Sequence, residues 1–186
     1  MSTKGERKVA SGLVLVILLS AAGLGLTVCG GRSEPQRAVP FESSEGRFKV
    51  DFPGTPERQE QTEPSGGQSP KVTVFSVETK DEAYSVAFSD LPTPGSQLDP
   101  SVVLDAVPEG SAARVPGTVR SKTSSSFLGS PAVDYVIDGE GRSKEVVVQA
   151  RAILVGRRLY ILQGAGKSTE TPFYDRMLAS FRLLSG

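Results

Sequence analysis

The chain carries few residues able to do chemistry, and their types exclude more than they allow. Among 186 residues there is no His, no Trp and a single Cys. Without His there is no Ser–His–Asp triad and no Cys–His dyad. A lone Cys with no His offers neither a zinc site nor a disulfide within the chain. The segment Gly164-Ala165-Gly166-Lys167-Ser168-Thr169 ends like a phosphate-binding loop, but that loop needs a further Gly five residues before Gly166, where Ile161 stands. The strand before it reads as part of a hairpin, whereas such loops sit in parallel βαβ units; a plain Gly-rich connector is expected. Asp81 with Glu82, and Asp134 with Asp138 and Glu140, are the acidic groupings. Glycoside hydrolysis needs two carboxylates held at set distances across a cleft. The first pair falls in a charged turn and the second group spans a strand and its turn, so both read as solvated turn charge. No segment repeats acids in the calcium-hand pattern. Ser124, Ser125 and Ser126 have no His to activate them; a Ser–Lys dyad with Lys122 or Lys144 is the only formal option, and strand polarity explains the serines more simply. No catalytic residue, metal or cofactor is expected.

Lys plus Arg and Asp plus Glu each number 21, so the formal charge is zero, which excludes a strongly basic nucleic-acid binder. Arg142, Lys144, Arg151, Arg157 and Arg158 gather along one hairpin. Such a patch could face anionic headgroups; the simpler reading is a strand edge kept soluble by charge.

The elements that position these residues begin with a leader. Lys4, Arg7 and Lys8 precede an uncharged run from Val9 to Gly31 centred on GLVLVILLS, the arrangement of a signal peptide. The run is also long enough to span a bilayer, which takes ~20 apolar residues. Cations on its N-terminal side place that end in the cytoplasm and the rest of the chain outside it. Leu26-Thr27-Val28-Cys29-Gly30 resembles a bacterial lipoprotein box, with Cys29 as the lipidated residue; Val28 departs from the usual Gly, Ala or Ser. Lipidation at Cys29, an uncleaved anchor, and release by ordinary cleavage near Ala22 or Gly30 are the three outcomes. Residues 30–42 lack apolar periodicity and read as a flexible tether, leaving 43–186 as one globular domain.

Within the domain, Phe48, Val50 and Phe52 alternate with polar residues and end at Pro53-Gly54, a half-buried strand. Thr55 to Pro70 reads as a mobile polar loop. KVTVFSVET (71–79) and AYSVAFSDL (83–91) form a hairpin, with Tyr84, Val86 and Phe88 on one face. Asp99 and Pro100 open a helix that presents Val103, Leu104 and Val107 and is expected to stop at Pro108 and Gly110. Strands over 117–129, 132–139, 144–156 and 159–164 follow as hairpins. The first of them is polar and belongs near an edge. A last helix is expected over 171–184, capped by Thr171, with Phe173, Met177, Phe181 and Leu184 at helical spacing.

A six- to seven-stranded antiparallel sheet with two helices is an α+β domain. The opening FKVDFPGTP (48–56), SFLGSPAVDYVI (126–137), AILVGRRLYILQG (152–164) and the closing ASFRLL (179–184) resemble small bacterial lipoproteins of the PsbP-like fold. That resemblance implies an α/β/α sandwich over roughly residues 42–185 and brings no site motif with it. The resulting expectation is a membrane-tethered extracytoplasmic module, not an enzyme, that binds an envelope protein partner and no nucleic acid. The alternative is a carrier of a small apolar ligand or lipid, held in a cavity between sheet and helices lined by Phe88, Tyr135, Tyr160 and Phe173.

Overall fold

A computed structural model describes residues 37–62, 70–91, 99–140 and 145–184. Its largest element is a seven-stranded antiparallel sheet built from β3 (Glu57–Thr62), β4 (Lys71–Glu78), β5 (Ala83–Asp90), β6 (Gly117–Phe127), β7 (Ser130–Glu140), β8 (Glu145–Val155) and β9 (Arg158–Gly166), in the order β3-β4-β5-β9-β8-β7-β6. A smaller three-stranded sheet joins β1 (Val39–Ser43), β2 (Phe48–Phe52) and β10 (Arg182–Leu183). The helices are α1 (Pro100–Arg114) and α2 (Pro172–Ser180).

The period of two in β5, β8 and β9 puts alternate side chains on opposite faces. Both faces are covered, so these strands are apolar on both sides. Ala87, Ala150, Ala152, Val133 and Ile161 pack with Leu104, Val107 and Ala112 of α1. Tyr84, Val86, Phe88, Tyr160 and Leu162 pack with Phe48, Val50 and Phe52 of β2, with Phe173 and Met177 of α2, and with Phe181. The layers are therefore α1, the large sheet, and then α2 beside the small sheet.

Six expectations are corrected. The small sheet claims β2, and its partner β1 begins at Val39, inside the stretch read as tether. The seventh strand of the large sheet is β3, inside the stretch read as a loop. Its sequence ERQEQT is polar because it lies at an edge, and it pairs with β4 from Glu57↔Ser76 to Thr62↔Lys71. Asp99 does cap α1, accepting from the Ser101 N–H at 2.9 Å, but the helix continues through Pro108 to Arg114. Proline deprives the turn of one hydrogen bond, yet burial of Leu104, Val107, Pro108, Gly110 and Ala112 holds the helix together. Gly164-Ala165-Gly166 is no connector but the end of β9, paired with β5 and β8. Finally, α2 stops at Ser180, whose hydroxyl accepts from the Asp51 N–H at 2.9 Å, and Arg182–Leu183 then pairs with β2. Phe181 keeps its place in the core from extended backbone rather than from the helix. Thr171 starts α2 without a side-chain cap; its hydroxyl accepts from Gln149 Nε2 instead.

Candidate functional site

The four aromatic residues expected to line one cavity do not meet. Phe88, Tyr160 and Phe173 lie in the cluster beneath the small sheet and α2, whereas Tyr135 lies in the cluster beneath α1, on the other side of the sheet. Register explains this: Tyr135 pairs with Ala150, which pairs with Gln163, while Tyr160 is three residues from Gln163 along β9 and so points the other way. Tyr135 OH shares a hydrogen bond with Ser111 Oγ at 3.1 Å. The other three sit among rings: Phe88–Tyr160 at 6.4 Å, Phe48–Tyr160 at 6.2 Å, Tyr84–Phe173 at 5.7 Å. Tyr160 also donates its hydroxyl to the Gly46 carbonyl at 2.8 Å. Cys29, Arg142 and Lys144 lie outside the described residues.

The acidic groups are drawn to cations rather than to one another. Asp134 accepts from Arg151 Nε at 2.6 Å and from Ser125 at 2.9 Å, and Arg151 stacks over Phe127. Asp138 pairs with Arg120, and Lys167 of the Gly-Lys-Ser-Thr segment meets Asp81 at 3.3 Å. Glu82 accepts from Tyr84 OH at 2.7 Å, and Lys122 meets Asp105 at 3.3 Å. Most of these pairs are largely exposed, where such contacts contribute little to stability.

A concave site lies at the end of the sheet where the β8–β9 turn, the β1–β2 turn and the C-terminal strand converge. Its volume is about 330 Å³, with Arg47, Asp90, Arg157 and Arg158 around it and Val155, Tyr160, Leu183 and Leu184 as the rest of the wall. Arg158 grips Asp90 with both prongs of its guanidinium, at 2.7 and 2.6 Å, donates to the Glu45 carbonyl at 2.8 Å, and stacks on Phe88. That grip holds the Asp90 carboxyl below the usual carboxylate range. Arg157 donates through Nε and Nη2 to the Leu91 carbonyl, at 3.2 and 2.8 Å. Arg47 is exposed and has left-handed backbone, φ 54°, and its carbonyl accepts from the Leu184 N–H at 2.8 Å. The sequence singles out Arg157 and Arg158 but not Arg47 or Leu183, and it assigns Leu184 to the last helix rather than to a cleft. These last three reach the cleft through the small sheet, whose pairing leaves no local signal.

Comparison with known proteins identifies the architecture. No protein-family model and no curated protein sequence matches the chain. Among solved structures, cyanobacterial PsbP (CyanoP) from Synechocystis sp. PCC 6803 superposes with a TM-score of 0.53 at 13% identity, covering 85% of this chain and 98% of its own. The chain has the PsbP-like fold. A Pseudomonas aeruginosa protein of unknown function superposes at TM-score 0.43 and 12% identity, over 74% of this chain and 88% of its own. LpqN, involved in cell envelope biogenesis of Mycobacterium tuberculosis, does so at 0.42 and 13%, over 80% and 91%. Those two scores mark a likeness in outline only. At 13% identity the likeness to CyanoP is one of fold.

Proposed function

We propose that the chain is a membrane-tethered, extracytoplasmic, non-catalytic module that docks a protein of the cell envelope along the free edge of its large sheet. The tethering part rests on the leader, a cationic start followed by an uncharged run that ends at Cys29. No helix of the described residues is long and apolar enough to cross a membrane, and the leader lies outside those residues. Cys29 is the lipid attachment point in this reading.

The observation that carries the docking part is β6. Both faces of the central strands are covered, so the edges of the sheet are what an extended partner could join. The other edge, β3, is short and charged, which guards it against pairing. By contrast β6 is eleven residues long, and beyond an irregularity between Val119 and Ser121 it pairs without a break from Ser121↔Val136 to Phe127↔Ser130. Its outer edge there is lined by Ser and Thr, mostly exposed.

The test uses the full chain in its native host, carrying a photo-crosslinking residue at Ser124 on β6 or at Glu57 on β3. A membrane-fraction protein adduct formed from Ser124 and not from Glu57 supports the reading. Adducts with lipid alone, or a chain recovered free in the cytosol, would overturn it. Palmitate labelling that disappears in Cys29→Ala supports the lipid anchor; equal labelling removes it.

A further inference from the structure

Among the described residues, two that are not glycine hold left-handed backbone: Arg47 at φ 54° and Leu128 at φ 51°. A Cβ makes that conformation costly, and Gly or Asn is its usual occupant. A bulky side chain kept there points to a use for the side chain. Both residues stand at the same end of the molecule. Arg47 borders the cleft, and Leu128 tips the β6–β7 hairpin beside the β8–β9 hairpin that carries Arg157 and Arg158. Leu128 is 50% exposed, an apolar residue presented to solvent.

The charges around the cleft do not cancel. Three guanidinium groups face one carboxylate, and Arg158 already holds that carboxylate, Asp90, in a bidentate grip. The nearby Glu45 carboxylate is held by Arg58 at 2.7 Å. Arg157 uses only part of its five-donor fork on the Leu91 carbonyl. Arg47 makes no side-chain hydrogen bond or ion pair with a described residue. Two cationic forks with free donors therefore flank a hollow whose remaining wall includes Val155, Leu183 and Leu184. Two guanidinium groups match the charge and the planar bonding pattern of a phosphate dianion, and the apolar wall matches a chain attached to it.

We propose that this cleft binds the phosphate group of an amphiphilic phosphomonoester, with Arg47 and Arg157 on the phosphate oxygens and Val155, Leu183 and Leu184 against the apolar part. The site is separate from the sheet edge at β6, so either assignment can fail without the other.

The experiment is calorimetric titration of the full chain in neutral detergent micelles with dihexanoyl phosphatidic acid, dihexanoyl phosphatidylcholine and inorganic phosphate. The expected result is saturable binding of phosphatidic acid, weakened by about tenfold or more in Arg47→Gly and in Arg157→Gln, with phosphatidylcholine bound far more weakly. Glycine suits φ 54°, so Arg47→Gly keeps the thermal midpoint of the wild type or raises it, and its lost binding is not lost folding. Inorganic phosphate bound as tightly as phosphatidic acid keeps the arginine site and overturns the amphiphile. Wild-type affinity in Arg47→Gly, or no saturable binding of either phosphate compound, overturns the proposal.

Discussion

The tyrosines give the most direct reading of how closed the interior is. All four in the chain are buried: Tyr84, Tyr135, Tyr160 and Tyr174 are at most 5% exposed. Burial raises each phenol above its ordinary value, because a phenolate loses solvation there; Tyr135 is pushed up to about 12. A group that holds its proton more tightly when folded stabilises the fold below its unfolded pKa, and that contribution is lost as pH rises through the folded value. For Tyr135 the window runs from about pH 10 to about pH 12. Titration followed by phenolate absorbance should therefore show no step near pH 10 while the chain is folded, and phenolate should appear together with alkaline unfolding. A step near pH 10 in the folded protein would mean an open interior. Tyr135 also shows what single residues hide. Its apolarity is plain in the sequence, but in a strand buried on both faces apolarity does not say which face a residue joins. Only the register across β7, β8 and β9 separates Tyr135 from Tyr160. The charged partners of Asp134 and Asp138 are equally silent, since Arg151 and Arg120 meet them through strand pairing.

At the scale of elements, turns and close approaches carry the sharpest expectations. Leu128 and Gly129 connect Phe127 to Ser130 with φ of 51° and 77°, the two positive values of a type I′ hairpin turn. Asn suits the first position and Leu does not, so Leu128→Asn should stabilise the domain by ~0.5–1 kcal/mol, read as a higher denaturation midpoint at unchanged slope. Gly117 leads from α1 into β6, and a Cβ there would stand 2.5 Å from the Asp138 carbonyl oxygen and 2.8 Å from that of Val115. Backbone cannot swing aside as a side chain can. Gly117→Ala should cost about 1–3 kcal/mol, and a neutral result would show that the α1–β6 junction shifts freely. The elements themselves divide by how locally they are determined. The β4–β5 and β8–β9 hairpins, and the start of α1 at Asp99 and Pro100, are legible because alternation and capping are local signals. The strand β3 is not, because an edge strand has no apolar face to announce it. Nor is the continuation of α1 past Pro108, where packing against β6 and β7 outweighs the local break. The last helix misleads in the opposite sense. Phe173, Met177 and Phe181 share a spacing of four, yet the open side of β2 takes Arg182 and Leu183 into a strand and leaves Phe181 in extended backbone.

For the molecule as a whole, the decisive feature is that one sheet forms the floor of two cores. Strand β5 gives Ala87 to the α1 side and Tyr84, Val86 and Phe88 to the other; β9 likewise gives Ile161 to one and Tyr160 and Leu162 to the other. Neither core can loosen while the strands between them keep their packing on both faces. The small sheet depends on this arrangement through Phe48, which is fully buried and meets Phe75, Phe88, Tyr160 and Phe181 at ring separations of 5.9, 6.4, 6.2 and 5.6 Å. Removing that ring strips contacts from the large sheet, the small sheet and the residue after α2 at once. Phe48→Ala should cost about 3–5 kcal/mol, a large part of the ~5–15 kcal/mol that holds a typical domain folded. The whole domain should pay that cost in one transition, with far-ultraviolet dichroism and tyrosine fluorescence changing together in denaturant. If the fluorescence moved first while the sheet signal stayed, β1, β2 and β10 would be a separable flap. The cleft they help to form would then be a hinge rather than a preformed site, and the binding of an anion there would have to close it.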